Sequence, residues 1–285
     1  MTIDDKQIIR VFPRKTKATP DDALVRIACA PDLFDQADEV HVSVTFSWDL
    51  PFAERLVKAW SCVAPVKIGG PATGEPEGDF VPGRYLKTGY VITSRGCDNR
   101  CWWCEAWKRN GSCRPLPITD GYMVQDDNLL GNKREHIEQV FAMLNRQKEK
   151  ADLRGLEAKL LQPWHVDLFS SVRVAQLWFA YDEPADYEPL VVAGRMLEEA
   201  GFNIVNKKAR AYVLCGFKGD TQDLAEARMH QTIEAGFVPF AMLYRDKQGR
   251  KQEGWTQFQK RWTRPAIMFE ELMKHRNARE MALAS

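Results

Sequence analysis

Apolar residues alternate between strand-like and helix-like spacing along most of this 285-residue chain. From Tyr90 onward, short runs rich in β-branched and aromatic residues start 20 to 35 residues apart, about the length of one strand plus one helix. The predicted strands are Tyr90–Thr93, Tyr122–Gln125, Leu156–Ala158, Gln176–Tyr181, Ala211–Cys215 and Val238–Leu243.

Helical periodicity fills the segments between these strands. Apolar residues recur three and four positions apart, which places them on one face of a helix. The first predicted helix carries the stripe Ile137, Val140, Phe141 and Leu144 after the start signal Asn132 and Glu135, and the second carries Leu190, Ala193, Leu197 and Ala200. The third covers Leu224 to Ile233 after the cap candidates Asp220 and Thr221. The last runs from Pro265 to about Met281. Six alternating units predict an α/β fold with a parallel sheet and outer helices, and they are too few for a closed eight-stranded barrel.

The first 82 residues form a separate pattern. Two predicted strands, Leu24–Ala28 and Val40–Thr45, precede a helix with Phe52, Leu56, Val57 and Trp60 on one face, and a third strand runs from Pro65 to a Gly-Gly-Pro turn at Pro71. The Gly-, Pro- and acid-rich stretch Pro71 to Pro82 is typical of a linker. We therefore predict a small Rossmann-like βαβ appendage over residues 1–82 and a main domain over residues 83–285.

Composition excludes several classes of protein. A net charge of +1 gives no sign of a nucleic-acid partner, and the chain lacks the apolar run of about 18 residues that a membrane span needs. The first six residues lack the features of a secretory signal. Seven cysteines, an odd number, argue against a disulfide framework and favour a reducing cytoplasm.

Candidate chemistry is concentrated in one short loop. Cys97, Cys101 and Cys104 have the spacing C-x3-C-x2-C and follow the first predicted strand of the main domain. Thiolates are the ligands that iron–sulfur clusters take, and three of them leave one iron of a four-iron cube without a protein ligand. A structural zinc site, with Cys113 as the nearest further thiol, and three unrelated buried thiols are the alternatives.

The cysteine spacing, with Trp103 just before the last cysteine, resembles the radical S-adenosylmethionine (radical SAM) superfamily. That resemblance implies a partial (βα)6 TIM-like barrel, a [4Fe-4S] cluster whose open iron binds S-adenosylmethionine, and reductive cleavage to a 5′-deoxyadenosyl radical that abstracts hydrogen from a substrate. The substrate is unidentified, and the electron donor would be a protein such as flavodoxin or ferredoxin. The resemblance places Trp103 against the adenine, although shielding of the cluster from water would also explain an indole there.

The same resemblance suggests further cofactor contacts at the carboxyl ends of strands. Asp126 and Asp127 would meet the amine or the substrate, with helix capping as the alternative. Glu157, predicted on a buried strand, would contact the cofactor or pair with Lys159 or another basic residue. Asp182 or Glu183 would bind the ribose hydroxyls unless they only form the turn before Pro184.

Gly216 opens a turn similar to the family's Gly-x-Pro-Gly-Glu-Thr, which lets backbone approach the adenine. Cys215 before it, in an apolar strand, is expected to be a core residue.

The run from Val42 to Leu50, followed by Gly69-Gly70-Pro71, is similar to the latter half of the cobalamin-binding module that precedes many radical SAM domains. The family's Asp-x-His-x-x-Gly motif is missing, so we do not expect cobalamin. The alternative to a radical enzyme is a non-catalytic scaffold or partner protein that binds zinc or an iron–sulfur cluster.

Overall fold

The computed structural model describes residues 6–264, 268 and 270–274. The chain folds into two compact units, one comprising residues 1–121 with 247–249 and the other comprising residues 122–246 with 250–285. The chain is α/β, and the main sheet of each unit is parallel. The domain boundary proposed at residue 82 stays a prediction, since compact packing does not report which segments fold on their own.

The first unit contains seven short strands and two helices among its described residues. They are β1 (Ile8–Phe12), β2 (Val25–Ile27), β3 (Glu39–Ser43), α1 (Leu50–Trp60), β4 (Val66–Gly69), β5 (Tyr90–Val91), β6 (Ser94–Arg95), α2 (Ala106–Asn110) and β7 (Arg114–Pro115). Strands β1 to β4 form a parallel sheet in the order β2-β1-β3-β4. The predicted strands and the helix of this region are confirmed, whereas the central strand β1 is an addition.

Apolar side chains on β1, β3 and α1 build the core of the first unit. This core contains Ile9, Val11, Val40, Val42, Val44, Ala53, Leu56 and Trp60. Trp60 is fully buried, and its indole nitrogen donates a hydrogen bond to the carbonyl of Cys29 at 2.9 Å. The predicted apolar face of α1 therefore packs on the sheet, as its spacing requires.

The second unit alternates strands and helices throughout. Its elements are β8 (Met123–Gln125), α3 (Arg134–Asn145), β9 (Ala151–Arg154), α4 (Pro163–Ser171), β10 (Val174–Tyr181), α5 (Tyr187–Glu199), β11 (Ala209–Cys215), α6 (Gln222–Glu234), β12 (Val238–Leu243) and α7 (Trp255–Thr263). The five strands lie side by side in chain order, and all neighbours are parallel. Most of the predicted last helix lies outside the described residues.

One predicted strand of this unit is wrong. The third strand is Ala151–Arg154 and not Leu156–Ala158, which forms a loop and the start of a 3-10 helix. Ala151 and Leu153 are buried while Asp152 and Arg154 are half-buried, so the strand has one apolar and one polar face. The apolar run around Leu156–Ala158 is more continuous, so the strand was predicted there and not at Ala151–Arg154.

Helices α5 and α6 of this unit pack closely against each other. Gly194 on α5 has no space for a side chain, because an added Cβ would lie 1.7 Å from the carbonyl oxygen of Ala235 at the end of α6. Phe179 on β10 packs against Phe237 with ring centroids 5.2 Å apart. Within the described ranges, every helix is too short or too polar to span a membrane.

Candidate functional site

The cysteine loop is fixed at its base by backbone pairing. Strands β6 and β7 pair antiparallel on either side of it, and the amide of Cys97 donates to the carbonyl of Gly111 at 3.0 Å. Gly96 has φ +84°, and a Cβ there would lie 2.2 Å from the carbonyl oxygen of Ser112. Only glycine fits this close approach, so the start of the loop has one backbone geometry.

The carbonyl of Cys101 anchors the rest of the loop. It accepts hydrogen bonds from the amide of Cys104 at 3.2 Å and from the indole nitrogen of Trp107 at 2.9 Å. Trp107 lies on the short helix α2, which directly follows the loop. The loop therefore turns back on itself between its second and third cysteines.

The three thiols have the chemistry that an iron–sulfur cluster requires. Cys97, Cys101 and Cys104 are half-buried, and none of the seven cysteines, all of which lie in the described part, forms a disulfide. Among the described residues, no three His, Cys, Asp or Glu side chains converge closely enough to hold a single metal ion. The donor set, three soft and partly accessible thiols on one short loop, is of the type that iron–sulfur clusters bind.

Glu77 is the central side chain beneath this loop. Its carboxylate pairs with Arg95 at 2.7 Å and with Arg109 at 3.3 Å, and it accepts a hydrogen bond from the amide nitrogen of Asn110 at 3.2 Å. Its backbone carbonyl accepts from Arg114 at 2.8 Å. Glu77 lies in the predicted linker, whose Gly-, Pro- and acid-rich composition does not indicate that one of its residues pairs with the arginines of the cysteine loop.

Two adjacent tryptophans lie inside the loop. Trp103 is half-buried, and Trp102 is 50% exposed. Their rings meet edge to face with centroids 5.3 Å apart. The exposed indole of Trp102 adds a second stacking surface beside that of Trp103. The sequence analysis named only Trp103.

The predicted acids of the second unit lie where its strands end. Asp126 and Asp127 follow β8, and Asp126 is buried. The cap of the following 3-10 helix is Asn128, whose side chain accepts from the amide of Gly131 at 3.2 Å. The cap of that 3-10 helix is therefore Asn128, and a contact of the two aspartates with the cofactor stays a prediction.

Glu157 is not on a strand, so the interpretation as a charge inside a buried strand was wrong. It precedes the 3-10 helix Ala158–Leu160, in the loop that leaves the carboxyl end of β9. Its carboxylate lies 3.9 Å from the amino group of Lys159, and both side chains are partly exposed. The ion pair with Lys159 is therefore present, and it is a weak one because solvent screens it.

Asp182 and Glu183, at the carboxyl end of β10, have different surroundings. Asp182 is buried, and its Oδ1 accepts a hydrogen bond from the amide of Leu214 on β11 at 3.0 Å. Glu183 is exposed and caps the 3-10 helix Pro184–Asp186. The turn proposed before Pro184 is therefore present at Glu183.

Burial controls the ionisation of Asp182. It raises the pKa of Asp182 to about 7, although the hydrogen bond from Leu214 opposes that shift. Repulsion from the carboxylates of Asp186 and Glu157 raises the pKa further. Glu157 and Asp182 both follow strands of the second unit at their carboxyl ends.

The turn after β11 is held by a buried carboxylate. Asp220 accepts a hydrogen bond from the amide of Gly216 at 2.8 Å and pairs with Arg228 at 2.9 Å. Gly216 has φ +72°, and Leu243 and Trp255 fill the space beside its Cα. Thr221 is the observed helix cap, and it accepts from the amide of Leu224 at 3.2 Å.

Cys215, as expected, is a core residue. It is fully buried at the end of β11, and burial raises the pKa of its thiol to about 12. A thiol with that pKa stays protonated at neutral pH and is a poor nucleophile and metal ligand.

Comparison with known proteins gives no family for this chain: no protein-family model matches it, and no curated protein matches it.

Proposed function

We propose that this chain is a radical SAM enzyme, with Cys97, Cys101 and Cys104 as the ligands of a [4Fe-4S] cluster. The observation that carries the proposal is the cysteine loop, with three half-buried thiols outside any disulfide on a backbone fixed by Gly96 and by the carbonyl of Cys101. When bound, the cluster supplies the electron that cleaves the sulfonium of S-adenosylmethionine and releases a 5′-deoxyadenosyl radical.

The roles of the chain's own residues follow from their positions. The half-buried indole of Trp103 is suited to stack on a flat purine. Asp126 and Asp127, at the end of β8, offer carboxylates to the cofactor's amine. Gly216, with its positive φ, turns the backbone at the end of β11, where the resemblance places the adenine.

Asp182 is our choice for the ribose hydroxyls. Its Oδ1 is engaged by Leu214, and no hydrogen bond from the described part of the chain reaches its Oδ2. Glu183, in contrast, is exposed at the start of the 3-10 helix that follows it. Glu157, whose charge acts on Asp182, is a second polar group at this end of the sheet.

The strand order of the second unit supports the proposed partial (βα)6 barrel. Five parallel strands follow one another without any strand out of sequence. Doubly wound sheets reverse their order at a switch point, whereas barrels do not. Residues at the carboxyl ends of such strands are the usual place for a site.

The proposal extends to the surroundings of the enzyme. A cluster of this kind needs an electron donor such as flavodoxin or ferredoxin, and thiolate ligands need the reducing conditions of the cytoplasm. The substrate would lose a hydrogen atom to the radical.

The direct test is an anaerobic assay of two cysteine variants. With dithionite and S-adenosylmethionine, the wild-type protein should hold about four irons per chain and form 5′-deoxyadenosine. Cys101→Ser should lose both properties, because one of three ligands is gone. Cys113→Ser, the control, should keep both, since Cys113 lies outside the triplet.

The opposite pattern would point to a zinc scaffold. A colourless protein with one zinc per chain, lost in both variants, would contradict the proposal. Equal iron content in Cys101→Ser and wild type would also contradict it.

A further inference from the structure

One face of the second unit's sheet is turned away from α5 and α6. On β10, Phe179 packs against Phe237, and the hydroxyl of Tyr181 donates to Gln231 on α6 at 2.6 Å. Side chains alternate along a strand, so Trp178 and Ala180 lie on the opposite face, here called the inner face.

Aromatic rings on β10, β11 and β12 cover part of the inner face. Trp178 stacks on Tyr212 with centroids 4.5 Å apart, and Phe240 meets both rings edge-on at 5.7 to 5.8 Å. The guanidinium carbon of Arg210 lies 4.4 Å from the centre of the Trp178 ring, and that of Arg154 lies 5.6 Å from it. Two cations thus share one indole.

The two arginines differ in their partners. Arg154 has a carboxylate beside it, because its Nε lies 3.3 Å from Asp152. The side chain of Arg210 has no hydrogen bond and no ion pair within the described part of the chain, and its Nε is shielded from solvent. Burial lowers the pKa of Arg210, because solvent is partly removed from around its charge.

A guanidinium Nε that is buried without an acceptor is costly. Leaving a buried charged donor unpaired costs more than a neutral one, so a structure normally supplies a partner. A bound anion would supply it here, and it would add the charge-assisted hydrogen bonds that arginine makes best.

Tyr212 offers a second unpaired donor on the same face. No hydrogen bond to its hydroxyl comes from the residues that the structure describes, and burial raises the pKa of Tyr212, which keeps the proton in place. Its neighbours across the sheet are Ala180 and Phe240. Ala180 is exposed although β10 is a central strand, so its small side chain leaves open space beside the ring of Tyr212.

We propose that Arg210 and Tyr212 bind the carboxylate of a small organic substrate that lies over Ala180 on the inner face. Arg154, Arg210 and Asp152 together carry a charge of +1, which a monoanionic carboxylate neutralises and a phosphate dianion exceeds. That this anion is the substrate rests on the proposed radical chemistry, whereas the anion site itself does not.

Calorimetry with small probes tests the site without any turnover. The full-length protein should bind benzoate more tightly than inorganic phosphate, and it should not bind benzamide, which has the same shape without the charge. Arg210→Gln should weaken benzoate binding about tenfold or more. Arg195→Gln removes an exposed arginine of the same unit and should change the affinity less than about twofold.

A second variant covers the case in which Arg210→Gln does not fold. Ala180→Phe fills the open space without changing any charge and should also abolish benzoate binding. The proposal is overturned if the wild-type protein does not bind benzoate at millimolar concentrations, or if both variants bind it like wild type. Displacement of benzoate by S-adenosylmethionine would overturn it too, because Arg210 would then belong to the cofactor.

The outcomes separate this proposal from the radical one. Formation of 5′-deoxyadenosine without benzoate binding would remove the carboxylate site alone. Benzoate binding by a protein that never assembles a cluster would keep the site and remove the radical chemistry.

Discussion

Asp182 has a carboxyl group whose ionisation the folded chain opposes. The group is buried beside β11, and its pKa is raised from 3.8 to about 7, chiefly by loss of solvent. In the unfolded chain the same group ionises near 3.8. Between these two values the folded state binds more protons than the unfolded state, so stability falls as pH rises.

Asp182→Asn should therefore remove a pH dependence. The amide can still accept the hydrogen bond from Leu214, but it cannot ionise. We expect the melting temperature of the variant, relative to wild type, to rise between pH 5 and pH 7 and to level off above pH 7. Thermal melts across that range measure the difference.

Asp167→Asn is the matched control, because Asp167 is an exposed carboxylate on α4 of the same unit. It should show no such trend. A difference between Asp182→Asn and wild type that is flat with pH would mean that Asp182 ionises normally in the folded protein.

Because His165 also titrates with folding, the difference in melting temperature between variant and wild type reports on Asp182, whereas the wild-type melting temperature alone does not. His165 is buried, its Nδ1 accepts from the amide of Gln162 at 2.9 Å, and its pKa is lowered to about 4 by burial and by Arg134. Its contribution to stability is lost as pH falls from about 6.5 to 4, the opposite sign to that of Asp182. The two effects partly cancel in the wild-type protein.

At this scale the sequence identifies reactive groups better than their partners. The cysteine triplet is visible because its three members are close in the chain. Glu77 is not, because its partners Arg95, Arg109 and Arg114 come later in the chain and meet it only after folding. The sequence correctly predicts that Asp182 lies at the carboxyl end of a strand. It does not predict that Asp182 is buried, because that burial depends on β11.

The loops that end β8 and β9 interlock through a glycine. Gly155 has φ +67°, and an added Cβ would lie 2.1 Å from the carbonyl oxygen of Asp126. The carbonyl of Gly155 also accepts a hydrogen bond from the amide of Leu129 at 3.0 Å. This contact positions the backbone of Asp126, one of the proposed cofactor ligands.

Gly155→Ala should destabilise the protein by about 2–4 kcal/mol, since backbone strain and overpacking add. Gly201→Ala is the control, because Gly201 has φ +81° and open space around its Cα. It should cost only about 1 kcal/mol, the strain alone. Urea unfolding of the two variants gives the comparison, and equal losses would mean that the contact with Asp126 relaxes freely.

Element prediction failed where burial and polarity compete. In β9 the polar residues Asp152 and Arg154 alternate with Ala151 and Leu153, so half of a short strand looks like a loop. In β1 the buried Arg10 interrupts the apolar run, and its charge is met by Asp22 and by the carbonyls of Gly83 and Arg84. These partners are distant in the chain, so the sequence around Arg10 does not by itself indicate that β1 is a strand.

The main sheets of the two units have different topologies. In the first unit the order β2-β1-β3-β4 places the first strand inside the sheet, whereas the strands of the second unit follow chain order. Both are parallel, so both need crossover connections. The alternation of strands and helices predicted the α/β class. It does not predict the strand order, because that order depends on which strands pair after folding.

The central claim for the whole molecule is an iron that no side chain of the protein occupies. Electron paramagnetic resonance of the dithionite-reduced, iron-loaded full chain, recorded before and after addition of S-adenosylmethionine, tests it most directly. We predict the signal of one reduced [4Fe-4S] cluster whose g values change when the cofactor is added, since a new ligand on iron alters its electronic structure. A spectrum unchanged by saturating S-adenosylmethionine, or a zinc-containing protein without any cluster signal, would contradict the account.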